Sequence, residues 1–93
     1  MQQEIFGIAS FRSRQQVMQL VAALHKAGIS SSVVTTPRAV SVGCGLSARF
    51  APEHAQAAAS LITRQQQGNL IGLYLVTRDQ QGKITCERLS EQP

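Results

Sequence analysis

Cys44 stands between two glycines, Gly43 and Gly45, with Arg38 six residues before it and Arg49 five residues after it. A buried cysteine gains nothing from flanking glycines, whereas a cysteine that meets another molecule does. Glycine removes side-chain bulk, lets the backbone approach a ligand closely and permits positive φ. A thiol reacts as thiolate, and its ordinary pKa of about 8.5 falls beside cations or backbone N–H groups. Arg38 and Arg49 are the candidate cations, since a guanidinium donates charge-assisted hydrogen bonds to an anionic sulfur. No His and no second Cys shares this segment. That speaks against a protease-like pair, a CxxC redox motif and a tetrahedral metal site, so neither metal nor cofactor is expected.

The elements that must position this cysteine follow from periodicity. Residues 4–9 (EIFGIA) are apolar and β-branched and read as a strand. The next segment is a helix over residues 13–27, with Ser13 as N-cap and Gln16 completing a capping box. Val17, Leu20, Val21 and Leu24 form its buried stripe, and Gly28 suits the left-handed position after its end. Residues 29–36 (ISSSVVTT) make a second strand that Pro37 stops. In residues 45–50 (GLSARF), Leu46, Ala48 and Phe50 alternate with Ser47 and Arg49, the period of a half-buried strand. The loop joining these two strands, residues 37–44, ends on Cys44.

A second helix follows, with Pro52 at its first position and Glu53 at the positive end of its dipole. Its stripe of Ala55, Ala58, Ala59 and Ile62 is narrow, and Gly68 with Asn69 ends it. Residues 70–76 (LIGLYLV) form a fourth strand with apolar side chains on both faces: Ile71, Leu73 and Leu75 on one, Leu70, Tyr74 and Val76 on the other. A further strand over ITCERL can pair with it through a short turn. The order β-α-β-β-α-β is that of the ferredoxin-like α+β fold, a four-stranded antiparallel sheet with two helices on one face. The core spans residues 4–76, and residues 77–93 form a hairpin arm or a loose tail. The open sheet face then needs cover, for which a second copy of the chain is the expected source.

Composition sets the bounds. The chain of 93 residues is expected to form one domain, and 43% apolar with 15% charged residues fits a folded one. The net charge of +4 is scattered, and four aromatics are too few for a stacking surface, so no nucleic-acid partner is expected. The opening Gln-Gln-Glu after Met1 does not read as a secretion signal, no apolar run reaches membrane-span length, and two cysteines make no disulfide framework. A cytoplasmic setting with free thiols is the expectation.

The run TTPRAVSVGCGLSARF, entered from LHKAGISSSV and followed by APEHAQAA, resembles the small bacterial proteins described as selenium/sulfur carrier protein-like. Thr36, Pro37, Arg38, Cys44, Gly45 and Leu46 match the family's pattern; Gly43 stands where the family often has Ser. The resemblance covers roughly residues 4–76. It implies a persulfide or selenopersulfide held on Cys44, loaded by a donor such as a cysteine desulfurase and passed to an acceptor protein. Such a protein is a carrier or accessory module rather than a stand-alone enzyme.

A structural reading stands beside each functional one. Cys44 has the parity of Leu46, Ala48 and Phe50, so a strand that began earlier would turn it toward the helices. The protein would then be a non-catalytic ligand- or protein-binding module. Arg38 reads equally as a turn residue, Arg49 as a paired surface cation and Thr36 as a strand former. Cys86, His25 and His54 have no company that suggests chemistry.

Overall fold

The computed structural model describes residues 3–38, 40, 45–65 and 70–89. Strand β1 (Glu4–Phe11) is followed by helix α1 (Arg14–Lys26), strands β2 (Ser31–Thr35) and β3 (Leu46–Phe50), helix α2 (Ala55–Gln65), and strands β4 (Leu70–Arg78) and β5 (Ile84–Arg88). A single 3-10 turn over Pro52–His54 leads into α2. The fold is α+β. Its antiparallel sheet has five strands in the order β2-β3-β1-β4-β5, where four with an optional fifth were expected.

β1 is the middle strand, and both of its faces are buried from Phe6 onward. Ala9 and Phe11 point to the helices and pack with Val17, Leu20 and Leu24 of α1, Ala58 and Ile62 of α2, Ala48 and Phe50 of β3, and Leu73 of β4. These are the stripes that the periodicity predicts, and the alanines of α2 lie in them as expected. Gly7 also faces this side. A methyl group there would overlap the Phe50 ring, so the missing side chain is what lets that ring seat.

The end of α1 is a Schellman motif. Ile29 N–H donates to Leu24 O (2.8 Å), Gly28 N–H donates to His25 O (3.0 Å), and Gly28 has φ +82°. Ile29 therefore belongs to the helix stop rather than to β2, and it packs on the core. The start of α1 differs from expectation. Ser13 occupies the N-cap, but its hydroxyl makes no cap and Gln16 Oε1 is buried without a partner among the described residues, so the capping box is not formed.

A register shift between Ser10 and Phe11 alters the reading of β4. Ser10 pairs with Gly72 and Phe11 with Leu70, so Ile71 is the extra residue. Leu70 thereby joins the helix-side core with Leu73 instead of sharing a face with Tyr74 and Val76. The turn from β4 to β5 is held by Asp79, whose carboxylate accepts from Gln81 N–H (2.9 Å) and Lys83 N–H (2.8 Å). The segment expected as an arm is thus the sheet's fifth strand. The predicted end of α2 at Gly68 and Asn69 lies outside the described residues.

The face away from the helices, here the outer face, carries its own apolar cluster. Phe6, Ile8 and Val76 are buried there with Val40, and Val34, Tyr74 and Cys86 pack around them. Val40 belongs to the β2–β3 loop, so the chain covers the centre of this face itself.

Candidate functional site

The β2–β3 loop is closed at its base by one backbone hydrogen bond. Thr36 N–H donates to Gly45 O at 2.9 Å. Gly45 has φ +88° and open space where a side chain would stand. That backbone favours glycine, and it is not extended. The alternation of β3 therefore begins at Leu46. Val40 N–H donates to Pro37 O at 2.9 Å, which folds the first part of the loop into a turn. Arg38 sits exposed in that turn. Cys44 and Gly43 lie outside the described residues.

Beneath the loop base runs a chain of three hydroxyls. Ser10 Oγ and Ser47 Oγ are 2.7 Å apart, and Ser47 Oγ and Thr36 Oγ1 are also 2.7 Å apart. Ser10 and Ser47 are 1% and 0% exposed, so each needs its partner. Cross-strand pairing makes the chain: Ser10 opposes Ser47 in the β1–β3 ladder, and Thr36 follows directly after β2. Thr36 is thus more than a strand former; its amide closes the loop and its hydroxyl ends the chain.

Arg49 is engaged elsewhere. Its Nη2 donates to Glu4 Oε2 at 2.9 Å, and its guanidinium lies 3.9 Å from the centre of the Phe6 ring. Arg78 Nη1 approaches the other Glu4 oxygen at 3.3 Å. The hydrogen bond from Arg49, with the positive charges of Arg49 and Arg78, holds the Glu4 carboxyl below its usual range. The paired-surface reading of Arg49 is the one the geometry supports. Cys86 projects from β5 to the edge of the outer cluster, where partial burial pushes its thiol pKa up. His25 Nε2 pairs with Ser31 O at 2.9 Å and ties the end of α1 to β2.

Of the sequence candidates, the fold brings Thr36 and Gly45 together, sets Arg38 in the same loop and gives Arg49 to Glu4. Sequence reasoning passed over Ser10, Val40, Glu4 and Arg78, and read Ser47 only as polar. The period of residues 45–50 placed Ser47 on the face of Arg49, but naming Ser10 as its partner requires the β1–β3 register, which one sequence does not encode locally.

These features describe a small α+β protein with an organised polar site at its loop base. A family model described as "Putative Se/S carrier protein-like" matches residues 6–73. The match covers well over half of the chain, and the chain belongs to that family. No curated protein and no solved structure matches it. No described helix is long and apolar enough to cross a membrane.

Proposed function

We propose that the protein is a carrier that holds sulfane sulfur or selenium on Cys44 as a persulfide or selenopersulfide and moves it between proteins. The observation that carries this reading is family membership over residues 6–73, a stretch that contains Cys44. Loading needs no outside oxidant. The Cys44 thiolate attacks the terminal sulfur of a donor persulfide, a new S–S bond forms at Cys44, the donor's S–S bond breaks, and the donor leaves as thiolate. A cysteine desulfurase supplies such a persulfide; an acceptor protein takes the terminal atom by the same exchange in the cytoplasm. Gly43 and Gly45 give the attacking groups room. Arg38, exposed and close in sequence, is the cation assigned to the carried anion.

The strand order supports a finer reading of the fold as well. β2-β3-β1-β4 with both helices on one face is the ferredoxin-like unit, and β5 is an addition at its edge. A homodimer through the outer face would meet Val40 there.

The test is the intact mass of the protein after incubation with a cysteine desulfurase and cysteine, with selenocysteine in parallel. Wild type, Cys44→Ala and Cys86→Ala are compared. A dithiothreitol-labile gain of one sulfur or selenium that is lost only in Cys44→Ala is expected. An unmodified Cys44 after exposure to a competent donor, together with slow alkylation of that thiol, would return it to a packing role in a binding module.

A further inference from the structure

A cleft of about 300 Å³ opens on the outer face of the sheet, beside the base of the β2–β3 loop. Its apolar lining is Phe6, Val34, Pro37, Val76 and Ile84. Arg49, Arg78 and Thr36 supply polar lining. Two guanidinium charges face the single Glu4 carboxylate, so the cluster keeps one positive charge in excess. Only Nη2 of Arg49 and Nη1 of Arg78 are used on Glu4, and a guanidinium has five N–H donors, so most of the donors remain for another acceptor. Arg49 is braced over the Phe6 ring, which fixes a charged group directly above the apolar floor.

Thr36 adds a second polar feature. Three hydroxyls joined by two hydrogen bonds use two of their three protons. Ser10 and Ser47 are buried, so Thr36 is the member of the chain that the cleft reaches. An apolar floor with a few convergent polar groups is the usual make-up of a small-molecule site, and this volume lies at the lower end of such sites.

We propose that the cleft binds a small organic monoanion, a carboxylate on a short apolar body, with the carboxylate against Arg49 and Arg78 and the body along Val34 and Ile84, above buried Phe6 and Val76. The single excess charge matches a monoanion better than a dianion, and the apolar floor disfavours a bare inorganic ion. No group on Cys44 is invoked, so the site stands whether or not that residue carries sulfur or selenium.

The test is an amide-resolved NMR titration of the full chain with hexanoate, beside hexanol, which keeps the chain without the charge, and sulfate, which keeps charge without the chain. Saturable shifts at Phe6, Val34 and Val76 are expected with hexanoate and only weak ones with the other two. Arg78→Gln, at an exposed position, should weaken hexanoate about fivefold, the scale of one charge-assisted hydrogen bond at a surface. Glu4→Gln should act in the opposite direction and tighten it about threefold, because the excess charge rises. Unsaturable shifts, equal binding of sulfate or hexanol, or unchanged binding in both variants would overturn the proposal.

Discussion

Ser47 Oγ is the middle of the hydroxyl chain and has no solvent to fall back on. Ser47→Ala removes both of its hydrogen bonds and leaves the Ser10 hydroxyl buried and unpaired. The expected loss is about 1–2 kcal/mol, the penalty for orphaning a buried polar group. Ser10→Ala together with Ser47→Ala should lose less than the sum of the two, because the orphan is removed with its partner. Urea unfolding of the four proteins in the cycle measures this; strict additivity would mean that the two hydroxyls do not depend on each other. Glu4 makes a pH prediction at the same scale. Its folded-state pKa lies below the unfolded one, chiefly through the hydrogen bond from Arg49. Its stabilising contribution is therefore complete above the unfolded value of about 4.3 and lost as pH falls through the lower folded value. The stability difference between wild type and Glu4→Gln should be constant near neutrality and shrink only in acid. Since Glu4 is 43% exposed, added salt should reduce that difference throughout. A gap that persists unchanged to low pH would show that Glu4 acts through packing and not through charge.

At the scale of elements, what the sequence made legible is what repeats. The stripe of α1 recurs at helical spacing and Leu46, Ala48 and Phe50 recur at strand spacing, and all of these lie in the helix-side core. The two strands around Cys44 were therefore readable, and so was the loop between them. Features set by pairing across the sheet were not. The shift between Ser10 and Phe11 moves Leu70 to the opposite face from the one that simple alternation assigns. Gly7 looks like a weak point in a strand until the Phe50 ring is seen to fill the space of its missing side chain. The hydroxyl chain joins residues from β1, β3 and the end of β2, and three isolated hydroxyl residues carry no pattern. At the loop base, the strand ends at Thr36 and Gly45 were legible as neighbours in sequence, whereas Ser10, Ser47, Glu4 and Arg78 depend on register and were not.

For the molecule as a whole, the decisive feature is how the outer face is closed. A five-stranded sheet with helices on one side leaves Phe6, Ile8 and Val76 to be covered, and Val40 does so from a loop that also leads to Cys44. One side chain thus couples the stability of the sheet to the placement of the loop. Val40 is 5% exposed, so Val40→Asp sets a carboxylate against the apolar cluster of Phe6, Ile8 and Val76. The loop must lift or the cluster must take up the charge. The expected loss is about 3 kcal/mol or more, and the uncovered face should promote self-association. Val40→Ala, which keeps the loop apolar, should lose only about 1–2 kcal/mol and leave the oligomeric state unchanged. Urea unfolding and sedimentation equilibrium on the same two variants separate the effects. If Val40→Asp keeps wild-type stability and mass, the loop does not seal the face, and the cover must come from another copy or another protein.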